Sequence, residues 1–172
     1  MKKVLIVAGA VSALALTSAP AAAATPTTQA TANARIVVPL TLNRARDLDL
    51  GTIVLSGAAP YTQTVSITQA GVFSCGGANL TCSGTTSTAQ YTATGTPDQA
   101  LTVSVSSTIP LANLTNVAAP NLTMNVFAPP ANSVVLDSTG NTTFDLGGSI
   151  SVSDTTADGV YQGTFDVTAD YQ

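Results

Sequence analysis

The side chains able to do chemistry are few. Two cysteines, Cys75 and Cys82, stand in the segment GVFSCGGANLTCSG; the nine carboxylates are all aspartates, and the chain has no histidine. Without an imidazole, Ser-His-Asp and Cys-His centres are excluded, and the commonest metal ligand and general base are both missing. A paired-carboxylate centre would have to be built from aspartates alone. Asp47 and Asp49 would share one face of a strand, as would Asp166 and Asp170, and both pairs read as solvated faces. Asp154, Asp158 and Gly159 in SDTTADG are the residue types a hard cation takes, but their spacing fits no EF-hand loop. An Asp-Gly hairpin turn is the simpler reading. The cysteine gap is not CxxC, so a redox or metal role is disfavoured, and a pair in an exported chain reads as a structural disulfide. No catalytic residue, cofactor or metal site is expected, and the chain does not read as an enzyme. The Asn-x-Thr triplets at Asn79, Asn113, Asn121 and Asn141 read as Asn/Thr-rich loops rather than glycosylation acceptors.

The setting follows from the first residues. Lys2 and Lys3 precede an apolar run from Val4 to Leu16 and then a small-residue stretch ending at Ala24. This predicts a signal peptide over residues 1–24 and a soluble, exported mature chain. The apolar run is too short for a bilayer, which takes about 20 residues, so no membrane span is expected. Removing that leader leaves Arg35, Arg44 and Arg46 against nine aspartates, a net charge of 3 − 9 = −6. Such a chain has no basic surface for nucleic acid.

Thr, Val, Ser, Ala and Gly dominate, while charged residues make up only 8%, too few for helices stitched by ion pairs. Alternating runs predict strands over 36–42, 47–55, 61–68, 90–94, 101–106, 122–127, 133–136, 143–152 and 160–171. Turn residues separate them, among them Gly57 to Pro60, Gly76-Gly77, Gly95 to Pro97, Pro129-Pro130 and Asp158-Gly159. The result is one all-β domain, a sandwich or barrel.

The two ends carry the longest alternations. In the closing segment Tyr161, Gly163, Phe165, Val167, Ala169 and Tyr171 share one face, with Gln162, Thr164, Asp166, Thr168 and Asp170 on the other. In the opening segment Ala30, Ala32, Ala34, Ile36, Val38, Leu40 and Leu42 share a phase. That run is long for one strand, and it reads as an N-terminal arm, residues 25–38, followed by a domain over 39–172. An arm of this kind acts by adding a strand to another sheet edge.

These ends resemble those of chaperone–usher pilins, which close on an alternating strand with a glycine near its start, here Gly159, and a penultimate tyrosine, here Tyr171. The segment Leu48-Asp49-Leu50-Gly51-Thr52-Ile53 and the run from Phe144 to Val152 are similar to pilin strands. The chain is also similar to a family of small exported bacterial proteins known only as domain of unknown function 4402. The local cysteine pair departs from the usual pilin disulfide.

The resemblance implies an immunoglobulin-like sandwich lacking its final strand. Its groove and chaperone-recognition strand would hold Gly159, Tyr161, Gly163, Phe165, Val167, Ala169 and Tyr171, and its donor strand Ala30, Ala32, Ala34, Ile36 and Val38. It further implies assembly with identical or related subunits, a periplasmic chaperone and an outer-membrane usher into a cell-surface fimbrium used in adhesion or biofilm. Two alternatives stand beside it. Residues 30–42 could be the first strand of a closed monomer, or the protein could be a secreted sandwich that binds carbohydrate or matrix, against which stands the scarcity of aromatic rings.

Overall fold

The computed structural model describes residues 27–172; the proposed signal peptide lies outside the described residues. The chain divides into Met1–Arg35 and a compact unit, Ile36–Gln172. Residues 27–35 have no regular secondary structure and are exposed.

The compact unit is all-β, as the composition demands. It has thirteen strands among the described residues: β1 (Thr41–Arg46), β2 (Thr52–Leu55), β3 (Thr62–Ile67), β4 (Phe73–Ser74), β5 (Leu80–Ser83), β6 (Ala89–Thr94), β7 (Ala100–Val105), β8 (Thr108–Asn113), β9 (Leu122–Phe127), β10 (Ser133–Val135), β11 (Asn141–Ser153), β12 (Tyr161–Gln162) and β13 (Val167–Tyr171). Every ladder is antiparallel. The strands form curled sheets: one runs β1-β6-β11-β9-β8-β12 with β3 and β4 joined through β11, one is β10-β7-β13, and one is the pair β2-β5. None of the described helices is long and apolar enough to cross a membrane.

The longest strand, β11, changes partners midway. Asn141 to Leu146 pair with β6, whereas Gly147 onward pair with β9 and β3. The two glycines at the change-over are needed there. A Cβ on Gly147 would lie 2.3 Å from the Ile67 carbonyl oxygen, and one on Gly148 would lie 2.9 Å from a Leu48 methyl. Side chains at these positions would push β3 or the Leu48 segment away.

Inward residues of these strands make one core, with Val65, Ile67, Leu101, Val103, Leu136 and Leu146 fully enclosed. Tyr91 and Phe144 face each other across the β6–β11 ladder and stack with ring centroids 5.7 Å apart. Outside the core, Thr88 is buried and its hydroxyl donates to Asp145 at 2.7 Å, while the Arg46 guanidinium reaches both at 2.7 and 3.0 Å. That cluster ties β1 and β11 to the residue just before β6. Asp137 fixes the turn into β11: its carboxylate accepts from the backbone N–H groups of Thr139 and Asn141. Those bonds hold its pKa below the usual carboxylate value.

Strand boundaries depart from the sequence-based expectations in physically informative ways. The strand expected over 36–42 begins only at Thr41; residues 36–40 have no regular structure. The one expected over 47–55 is strand only from Thr52, because Gly51 takes a positive φ of 72° and breaks the phase. Three strands were not anticipated. Among them β8 carries Pro110, which has no N–H for a ladder and ordinarily argues against a strand; its inward residues Ile109, Leu111 and Asn113 are nevertheless buried.

Cys75 and Cys82 form a disulfide that closes a short loop between β4 and β5. Replacing both with serine is expected to cost about 2–3 kcal/mol from the lost loop closure while leaving the sheets intact. Denaturant titration with far-ultraviolet circular dichroism checks both halves of that statement.

A second expectation concerns alkaline pH. Burial pushes the Tyr91 hydroxyl above its ordinary pKa, and Asp47 and Asp166 add to the rise against the opposing effect of Arg44. The neutral phenol is therefore favoured in the folded state. Its contribution is complete below about pH 10 and is lost as pH climbs through the raised value, so unfolding free energy should decline in that window. A Tyr91→Phe variant should show a smaller decline.

Candidate functional site: an apolar groove

Two stretches of backbone in the compact unit lie near each other without pairing. The first runs from Asp47 to Leu55 and includes β2; the second runs from Ala157 to Phe165 and includes β12. Between them is a cavity of about 970 Å³. Its floor is core: Ile109 and Leu111 of β8, Leu122 and Met124 of β9, Ile150 and Val152 of β11. The size is at the upper limit of ordinary small-molecule pockets, roughly 300–1,000 Å³, but the shape is a slot bounded by strands.

Both walls have spare backbone. Among the described residues β2 has β5 as its only ladder partner, and β12 has only β8. The closing segment also comes off its neighbour partway. Tyr161 and Gln162 pair with Asn113 and Ala112, while Val167 to Tyr171 pair with Val105 to Leu101. Gly163 to Asp166, between them, are in no ladder. Pro110 would face Thr164 if the first register continued, and it has no N–H to give. Six residues, 106–111, lie between the paired positions on one side and four, 163–166, on the other, so the two ladders cannot be continuous.

Side-chain alternation nevertheless persists through the break. From Tyr161 to Gln172 every odd-numbered residue is half-buried and every even-numbered one exposed. Gly159, Tyr161, Gly163 and Phe165 line the groove. Val167, Ala169 and Tyr171 do not; they belong to β13 beside β7. Gly159 has a φ of 143°, and a Cβ there would lie 2.3 Å from Asn113 Oδ1. The buried Asn113 amide donates to the Asp158 carbonyl and accepts from the N–H groups of Thr115 and Asn116. That side chain holds the turn that starts the second wall, together with the Val160 N–H on the Thr115 hydroxyl and the Tyr161 hydroxyl on the Ala157 carbonyl. Exposed apolar residues, Val54, Leu114 and Val160, stand along the rim.

At one end the groove is shut. A Cβ on Gly95 would lie 2.2 Å from the Tyr171 hydroxyl and 3.1 Å from a Leu40 methyl, so both wall segments, extended, converge there. The Tyr171 hydroxyl accepts from the Thr96 N–H at 2.8 Å and donates to the Val38 carbonyl at 2.8 Å. Val38 in turn donates its N–H to the Thr96 hydroxyl at 2.8 Å. Tyr171 thus brackets the backbone at the root of the N-terminal arm. Beyond this bracket Ile36 is 92% exposed, and Ala30, Ala32 and Ala34 are exposed and outside any strand.

Sequence reasoning named Gly159, Tyr161, Gly163 and Phe165 of the second wall. It did not assign the first wall, the Ile109–Leu111 floor or the Gly95–Thr96 bracket. The leucines of Leu48-Asp49-Leu50 were the available signal for the first wall, since Leu50 is buried and Asp49 exposed.

The fold and groove thus define an all-β protein of antiparallel sheets with an apolar-floored groove between two wall segments. The chain belongs to the family described as Domain of unknown function (DUF4402), which it matches over residues 40–171. No curated protein matches it.

Tyr171→Phe isolates the bracket, because the ring stays while the hydroxyl is lost. Two hydrogen bonds at about 0.5–1.5 kcal/mol each predict a loss of about 1–3 kcal/mol. Faster amide exchange at Thr96 than in the parent protein would be the accompanying sign. Gly95→Ala should cost at least as much, since its methyl would collide with the same hydroxyl.

Proposed function

We propose that this protein is the structural subunit of an exported, fimbria-like polymer. The N-terminal arm of one molecule, residues 25–38, lies in the groove of the next and completes an immunoglobulin-like sandwich. The observation that carries this reading is the groove itself: an apolar slot, floored by core residues, between two strand edges that each lack a partner. An inserted strand would satisfy both edges at once and cover the floor.

The arm has the chemistry of such an insert. Ile36 and Val38 alternate with Val37, and Ala30, Ala32 and Ala34 continue the apolar phase as small knobs. Burying Ile36 and Val38 supplies about 1.5–3 kcal/mol each, and each backbone bond along the arm adds about 0.5–1.5 kcal/mol net. An empty groove is also a liability, because exposed edges and apolar patches invite aggregation. A periplasmic chaperone that fills the groove before assembly, and an outer-membrane usher that exchanges it for the next arm, belong to the same reading. Adhesion or biofilm formation at the cell surface is the role such a polymer would serve.

The test uses the full chain. Ile36→Asp with Val38→Asp should leave the groove intact and abolish polymers in sedimentation velocity. A peptide spanning Ala30 to Val38 should then bind this variant. At a hundredfold excess over Kd it should stabilise by about 2.7 kcal/mol, or about 5–10 °C in melting temperature for a chain of this size. A parent protein that stays monomeric at high concentration and ignores the peptide would favour the closed, carbohydrate- or matrix-binding monomer.

A further inference from the structure

Resting on that reading, we infer that the arm is read by charge as well as shape, through an intersubunit ion pair between Arg35 of the arriving arm and Asp158 at the mouth of the receiving groove. The groove is an acidic site. Asp47, Asp49 and Asp158 are among its lining residues, and no lysine or arginine is. Between residues 27 and 38 the arm has a single ionisable side chain, Arg35, directly before its largest apolar residue. On an extended strand Arg35 is in the opposite phase to Ala34 and Ile36. With the latter two facing the floor, the guanidinium is at the rim, where the carboxylates are.

Which carboxylate it meets follows from how the molecule is closed. The groove end nearest Asp47 and Phe165 leads into the region where Leu40 and Tyr171 meet over Gly95 and where the receiver's own Val38 is bracketed. A donor body cannot sit at that end. Its arm is fixed to its own domain at Val38 by the same bracket, so Val38 and the residues just before it must lie at the other end of the groove. That end is bounded by Leu55 on one wall and by Asp158 and Gly159 on the other. Asp158 is exposed there, and in the hydrogen bonds of the turn it uses its backbone carbonyl, which accepts from Asn113. Asp47, at the closed end, already pairs with Arg44 at 2.8 Å, and Asp49 accepts from the Gly51 N–H at 2.8 Å.

Two copies of an acidic chain repel each other at long range. An arginine beside the anchors gives the arm local attraction and places it in one register, as opposite charges do across paired strands.

The experiment titrates the full-length Ile36→Asp, Val38→Asp chain with peptides spanning Thr27 to Val38. At about 20 mM salt the Arg35→Asp peptide should bind on the order of tenfold more weakly than the parent peptide. At 1 M salt, where screening acts over about 3 Å, the gap should shrink to less than about threefold. Asp158→Arg in the receiving chain should invert the preference, favouring the Arg35→Asp peptide, while Asp49→Arg should not. Circular dichroism confirms that each receiver is folded. Equal binding of the two peptides, or inversion by Asp49→Arg in place of Asp158→Arg, overturns the ion pair but leaves strand donation standing. Absence of binding by the parent peptide overturns both.

Discussion

Unpaired backbone beside an apolar floor is the constraint on which the rest of this structure depends. Backbone N–H and C=O groups are strong hydrogen-bonding groups, and among the described residues Gly163 to Asp166 and the outer edge of β2 have no ladder partner. Local chemistry keeps them that way. Pro110 withholds a donor, Gly51 breaks the first wall out of phase with β1, and the mismatch of six residues against four prevents β12 and β13 from merging on one straight partner. On the strand-donation reading, a partner would bring its own backbone to these edges.

The closing segment divides its work between two tasks. Its first half lines the groove, with half-buried Tyr161 and Phe165 over a floor of buried residues. Its second half is a ladder with β7 that ends in the Tyr171 bracket. The tyrosine hydroxyl connects the last strand to Val38, 133 positions away in sequence, and makes the arm's point of departure a property of the finished fold. Substitutions in the two halves should accordingly separate, one set acting on the groove and the other on the arm's root and on overall stability.

Much of this was legible in the sequence because period-2 alternation survives wherever one side of a strand is covered. The phase of residues 161–171 was read correctly through a four-residue break in the ladder, since burial alternates even where pairing stops. What was not legible has specific causes. TIPLAN resembles a loop because of Pro110, and only the tertiary position of Ile109 and Leu111 under the groove makes it a strand. The first wall depends on Gly51, whose positive φ shifts the inward phase from Leu48 and Leu50 to Ile53 and Leu55. Residues 30–42 share one apolar phase, with Val37 and Pro39 apolar in the other, but the structure divides them at Thr41: only Thr41 and Leu42 belong to β1, while the positions before them are in no strand among the described residues.

On the strand-donation reading, the order of residue sizes in the arm has a physical sense. Toward the closed end the groove is crowded. Leu48 and Met124 crowd Gly148, and a Cβ on Gly163 would lie 2.8 Å from a Leu111 methyl. On that reading the arm places Ala30, Ala32 and Ala34 in that half. Toward the mouth, Val54, Leu114 and Val160 leave apolar surface exposed, and Ile36 and Val38 arrive there with the area to cover it. The size order of the arm and the position of the Tyr171 bracket thus favour the same polarity, the first through the side chains met along the floor and the second through where the donor body can stand.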